Sequence, residues 1–149
     1  MIRDIKPENF LIEKFSLKNN EISIALTDFG LAKTHHQTMT QTGGIGTIQY
    51  MAPEVYQSQA QSYSVDTWSC GIILYQLLSG DMETNVIMMS AECGKAELPN
   101  ALEKLVKNSS TVERSQTLID LMKQMIQIDP PERITPEKAK RLLEGSDNF

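Results

Sequence analysis

Four residues near the start of the chain carry groups that could do chemistry together. The run Arg3-Asp4-Ile5-Lys6-Pro7-Glu8-Asn9 offers a carboxylate at Asp4, a cation at Lys6 and an amide at Asn9. Further on, Asp28-Phe29-Gly30 adds a second carboxylate. Gathered into one small volume, these types suit phosphoryl transfer. One carboxylate accepts a hydroxyl proton, the second carboxylate and the amide hold Mg²⁺, and the cation steadies a phosphate.

The elements on either side must bring those positions together. Pro7 restricts Lys6 to extended conformations and breaks any helix there, so residues 1–9 read as a loop. Phe10-Leu11-Ile12 is a short apolar run. Ile22, Ile24 and Leu26 alternate with Ser23, Ala25 and Thr27, as in a half-buried strand. Asn19-Asn20 suits a turn because Asn tolerates positive φ. The expected product is a small hairpin with Asn9 at one end and Asp28 at the other, close enough to share a metal.

Arg3-Asp4, Asn9, Asp28-Phe29-Gly30 and Ala52-Pro53-Glu54 occur in that order. This order and spacing resemble the catalytic half of a eukaryotic-type serine/threonine protein kinase. The resemblance implies that Asp4 is the catalytic base and that Lys6 contacts the transferred phosphate of ATP. A lysine at that position resembles Ser/Thr rather than tyrosine kinases. It implies Asn9 and Asp28 as Mg²⁺ ligands and Leu11 as the floor of the adenine pocket, although Leu11 reads equally well as a core strand residue. Arg3 would pair with a phosphorylated residue of the activation segment, residues 28–54. Thr38, Thr40 and Thr42 are within reach, with Thr42 favoured, and Thr47 falls where such kinases place a threonine beside the catalytic aspartate. Glu54 and Arg133 resemble a structural family pair joining the end of that segment to the helical lobe. Asp66, in Asp66-Thr67-Trp68-Ser69-Cys70-Gly71, resembles the aspartate of the central helix that holds the catalytic-loop backbone.

The remaining chain reads as helices. Ser64–Ser79 is the best candidate, with Ser64 as cap, Asp66 in the first turn and Gly80 as stop. Its apolar residues, Trp68, Ile72, Ile73, Tyr75, Leu77 and Leu78, cover more than one face and predict deep burial. Val86-Ile87-Met88-Met89 reads either as a helical turn or as a stretch packed against nothing evident. Leu98, Leu102, Leu105 and Val106 suggest a helix facing the core. Leu118, Leu121, Met122, Met125 and Ile126 follow helical spacing as a core stripe. Thr135-Pro136 caps and starts a last helix through about Leu143. Gly43-Gly44-Ile45-Gly46 lacks the spacing of a phosphate cradle and reads as flexible backbone. His35 and His36 lack partners at ligand spacing and read as exposed loop residues.

The bulk properties narrow the classes. The 149 residues suffice for one domain with a core. A net charge of −5 argues against general nucleic-acid or anionic-membrane binding. Cys70 and Cys93 read as reduced thiols, no apolar run is long enough for a membrane span, and the charged start excludes a secretory signal, so a cytoplasmic setting is expected. Two departures from the family pattern stand out. Ile2 replaces the usual His before Arg3, and no Pro-Phe pair follows the central helix. The expected fold is mainly α with a small β-hairpin. It is a protein-kinase-like C-lobe in which the N-lobe and the helices before the catalytic loop are absent. Residues 1–149 form a partial kinase domain, with the catalytic loop and following strand at 1–12, the activation segment at 28–54 and a helical subdomain at 64–144. The implied activity is ATP-dependent phosphorylation of Ser or Thr in a protein substrate, with the 149-residue chain inactive alone. Alternatives are a catalytically dead fragment serving as a binding module or decoy, with a partner covering the exposed N-lobe surface, and a truncated gene model.

Overall fold

The computed structural model describes residues 2, 4–19, 21–27, 48–57, 59, 62–83, 85, 86, 89, 97–108 and 116–145. The chain is mainly helical, with one two-stranded antiparallel sheet. Strands β1 (Phe10–Ser16) and β2 (Glu21–Leu26) form the hairpin. The helices are α1 (Pro53–Tyr56), α2 (Ser64–Ser79), α3 (Leu98–Asn108), α4 (Gln116–Met125) and α5 (Pro136–Glu144).

The start of the chain departs from a plain loop. Pro7–Asn9 is one turn of 3-10 helix with the proline at its first position. Proline is compatible there because its missing N–H has no partner in a first turn and its φ is already helical. Lys6 before it is extended, as expected from the clash with the proline ring. The apolar run at Phe10 begins a strand of seven residues, longer than the sequence indicated. The hairpin is not half-buried as its alternation implied: Ile22 and Ile24 point into solvent.

Helix α2 is the post of the helical body. Trp68, Ile72 and Tyr75 are completely buried. Leu77 is the exception to the expected all-round burial, at 78% exposed. Ser64 is the first helical residue and not the cap. The preceding turn starts at Ser62, whose Oγ accepts from Ser64 N at 3.3 Å. Gly80 ends the helix in the left-handed region, φ 72°, with its N–H donating to Gln76 O at 2.8 Å. Helix α4 packs against α2 at Gly71, where a Cβ would meet Ile126 Cγ1 at 2.7 Å and Met125 Cβ at 2.9 Å. Only a residue without a side chain permits that approach.

Helix α3 buries Leu98, Leu102 and Val106, one per turn, and leaves Leu105 at the edge. Helix α4 buries Ile119, Leu121 and Met122, with Ile126 just past its end. Leu121, Met122 and Ile126 of the expected stripe are buried, Leu118 and Met125 are only partly covered, and Ile119, which the sequence reading passed over, is buried with them. The helical-turn reading of that run holds, with Met89 N donating to Asn85 O at 3.1 Å, and it packs on the core through Val86, fully buried, and Met89; Ile87 and Met88 lie outside the described residues. Helix α5 starts as expected, with Thr135 accepting from Lys138 N at 3.3 Å. Burial drives the Cys70 thiol up to about 11, and nearby Asp66 adds to the effect, so this cysteine is an inert thiol. Cys93, His35, His36 and the glycines at 43, 44 and 46 lie outside the described residues.

Helices α3 and α4 are also joined by charge. Glu103 accepts from Lys107 Nζ and Lys123 Nζ, both at 2.6 Å. These bonds, Lys107 first, hold the Glu103 carboxyl at about 2, below its ordinary 4.5. The interaction is therefore whole above pH 4.5 and is lost as pH falls toward 2. Glu103→Gln is expected to lower the urea midpoint near neutral pH, with the gap to the parent closing across that acid window. Gly71→Ala is expected to cost about 1–3 kcal/mol in the same assay, because the added methyl overpacks the α2–α4 contact.

Candidate active site

The 3-10 turn at Pro7–Asn9 folds Asn9 back toward Asp4. Asn9 N donates to Lys6 O at 3.0 Å, and the side-chain Nδ2 donates to Asp4 O at 2.7 Å and to Asp4 Oδ2 at 3.1 Å. Lys6 Nζ lies 3.0 Å from the same Oδ2. Asp4 and Asn9 are both buried, while Lys6 is partly open to solvent. Two donors thus fix one carboxylate oxygen, which orients the other without further constraint from these groups. With Nδ2 spent on Asp4, Asn9 keeps its Oδ1 for a hard cation, the donor type Mg²⁺ prefers.

The hairpin closes over this turn. Thr27 N donates to Asn9 O at 2.7 Å, and Thr27 Oγ1 donates to the same oxygen at 3.1 Å. The residue just before Asp28 is therefore anchored on Asn9. Asp28 itself, with Arg3, Thr38, Thr40, Thr42 and Thr47, lies outside the described residues. Among the described residues no group of three or more His, Cys, Asp or Glu side chains could hold a metal. Leu11 is exposed beside Asn9, on the hairpin face shared with Ala25.

Helix α2 holds the loop from below. Asp66 Oδ2 accepts from Ile2 N at 2.8 Å, a link across 64 residues of sequence. The segment around α1 is fastened to the same helix. Ser69 Oγ donates to Tyr50 O at 2.8 Å, and Tyr50 donates its hydroxyl to Gln76 Oε1 at 3.2 Å. Gln49 Nε2 reaches Met82 O at 2.7 Å, just past the end of α2. Sequence reasoning missed Tyr50, Ser69 and Gln76. The local signal for Ser69 and Gln76 was a polar residue within a largely apolar helix, and Tyr50, outside that helix, carried none.

Glu54 and Arg133 form a buried bidentate pair, with Nη1 to Oε1 at 2.6 Å and Nη2 to Oε2 at 2.7 Å. Arg133 also donates to Gln127 O, Ser64 O and Ile128 O, so all five of its N–H groups are used. Its guanidinium stands 5.1 Å from the centroid of the Trp68 ring.

A loop that fixes an aspartate with a lysine and an asparagine, tied to a buried central helix below a hairpin, defines a protein kinase large-lobe core. The sequence comparisons agree. The protein kinase domain model matches residues 1–143. The chain is 40% identical over 149 residues to serine/threonine-protein kinase 33 of Bos taurus, covering 96% of this chain and 29% of that protein. It is 33% identical over 135 residues to the SNF1-related protein kinase catalytic subunit alpha KIN12 of Arabidopsis thaliana, covering 89% and 24% respectively. It is 36% identical over 148 residues to serine/threonine-protein kinase cds1 of Schizosaccharomyces pombe, covering 92% and 29%. The chain belongs to the protein kinase family and spans less than a third of the length of these relatives.

Removing one partner of the Glu54–Arg133 pair leaves a buried charge alone. Glu54→Ala is expected to lose about 3–5 kcal/mol of unfolding free energy. Glu54→Ala combined with Arg133→Met should lose less than the sum of the two single losses, which a double-mutant cycle by urea unfolding would read directly.

Proposed function

We propose that this chain supplies the catalytic loop, the metal-ligand positions and the substrate-side helices of an ATP-dependent protein Ser/Thr kinase. The observation that carries the reading is the Asp4 carboxylate held by Lys6 and Asn9. Asp4 accepts the hydroxyl proton of the substrate. Lys6, within reach of the same volume, exchanges its contact with Asp4 for a phosphate. Asn9 and Asp28 would hold Mg²⁺, a reading that the tether from Thr27, the residue before Asp28, to Asn9 supports. Mg²⁺-ATP, when bound, supplies the phosphoryl group that is transferred. Leu11 offers an exposed apolar surface to the adenine.

The other assignments follow from how the segments are fastened. Residues 1–12 serve as catalytic loop and first strand, 28–54 as activation segment and 64–144 as helical subdomain. Asp66 holds the loop backbone, and Glu54 with Arg133 anchors the end of the activation segment. In this reading Arg3 would pair with a phosphate on Thr42, and Thr47 would take the role the family gives a threonine beside the catalytic aspartate. The protein substrate carries the accepting Ser or Thr. Among the described residues no helix is long and apolar enough to cross a membrane, and a cytoplasmic setting is consistent with Cys70 being a free cysteine.

A second reading, a non-catalytic binding module, rests on the exposed apolar side chains gathered on the hairpin, Ile12, Phe15, Ile22 and Ile24. One experiment separates the two. Phosphotransfer from Mg²⁺-ATP to a generic Ser/Thr peptide is measured for the longest product of the gene and for its Asp4→Asn variant. The catalytic reading expects activity that falls about 10²–10⁴-fold in the variant. A parent no more active than the variant would refute it. The 149-residue chain on its own is expected to show no transfer above Asp4→Asn, because it contains no Gly-rich loop or strand lysine to position the nucleotide.

A further inference from the structure

Three polar residues of α2 form a stripe. Ser69 follows Asp66 by three residues and Gln76 follows Ser69 by seven, a spacing that stacks them along one side of a helix. Asp66 accepts from Ile2 N, and Ser69 donates to Tyr50 O. The start of the chain and the segment at Tyr50 are therefore held on neighbouring turns, where such side chains stand about 5–6 Å apart at Cβ. Tyr50 then runs along the stripe. Its carbonyl is fixed at Ser69 and its hydroxyl at Gln76, about 10 Å further along the axis. The stretch that leads into α1 is thus placed beside the loop that leads from Ile2 to Asp4.

The hydroxyl end of this contact is poorly satisfied. Tyr50 and Gln76 are both buried, and the bond between them is long for a hydroxyl donor, at 3.2 Å. Gln76 Nε2 is buried with no partner among the described residues. A buried donor left unpaired costs stability, whereas replacing both partners of a bond by apolar groups of like shape is close to neutral or stabilising. The pair is therefore a weak means of holding a core together. What it supplies is direction, because a hydrogen bond fixes distance and angle where an apolar contact does not. We propose that Tyr50 and Gln76 are positioning residues for the phosphoryl transfer. They set where the chain at 48–52 stands against the loop carrying Asp4, and so where the accepting Ser or Thr of the protein substrate is held. The proposal rests on reading Asp4 as the base and residues 28–54 as the activation segment.

The test compares the longest product of the gene with its Tyr50→Phe/Gln76→Met double variant, which removes both polar partners and nearly keeps their shapes. The urea midpoint should stay level or rise. The KM for a Ser/Thr peptide should rise about 3–10-fold, the effect of one hydrogen bond, while the KM for Mg²⁺-ATP does not move. A merely structural role would lower the midpoint and weaken both substrates together. Amide exchange reads the hold on the segment apart from catalysis. Met51 N, which donates to Ile48 O at 3.1 Å, should exchange faster in the double variant, with the amides of α3 and α4 unchanged. A parent that transfers no phosphate would refute the catalytic reading and this proposal with it. An active parent whose peptide KM the double variant leaves alone would overturn this proposal only, as would unchanged exchange at Met51 or a lowered midpoint.

Discussion

Helix α2 is buried along most of its length, so its polar side chains have little access to water and must bond to whatever chain crosses them. That constraint organises the molecule. Asp66 takes the backbone N–H of Ile2, Ser69 takes the carbonyl of Tyr50, and Gln76 takes the hydroxyl of Tyr50. A buried polar group left alone costs about 1–3 kcal/mol, so each crossing segment is held in register by the cost of releasing it. Both the start of the chain at Ile2 and the segment around α1 are thereby referred to one rigid element. The arrangement is incomplete at two atoms: Trp68 Nε1 and Gln76 Nε2 are buried with no partner among the described residues.

Arg133 extends the same logic to the far side of the helix. Its guanidinium closes against Glu54, three backbone carbonyls and the Trp68 ring. A charge pair at this depth earns little net stability against an apolar replacement. What it supplies is direction, since the planar fork accepts only one orientation of the Glu54 carboxylate. The helix at Pro53–Tyr56 is too short to hold its own position, and this pair does so.

Around Asp4 the same economy of groups is visible on a smaller scale. One turn of 3-10 helix is enough to bring Asn9 onto Asp4, and the amide and the lysine share a single carboxylate oxygen. Thr27 then fixes where β2 delivers the chain that continues into Asp28. In the proposed phosphoryl transfer such positioning of Asp4 would be the main contribution, because that chemistry asks little of a protein beyond alignment and charge.

Local rules determined much of this from the sequence. Alternation marked β2, the Asn turn marked the hairpin, Gly80 ended α2, and Thr135-Pro136 began α5. Each is a short-range effect of φ preference or capping that neighbouring residues carry in full. The motif order in residues 3–54 likewise pointed to the protein kinase family, because its chemistry needs those residue types at those separations. What only the tertiary structure decided depends on which surface meets which. On α4 the expected stripe held at Leu121, Met122 and Ile126 and widened to take in Ile119, because the helices packed on it, α2 and α3, set how far around its circumference burial reaches. Leu77, Ile22 and Ile24 have the same hydropathy as buried residues but stand in solvent, because burial requires an opposing surface that composition cannot announce. Tyr50, Ser69 and Gln76 were silent for the same reason. A hydrogen bond between residues 26 apart exists only once the chain has been folded to bring them within reach.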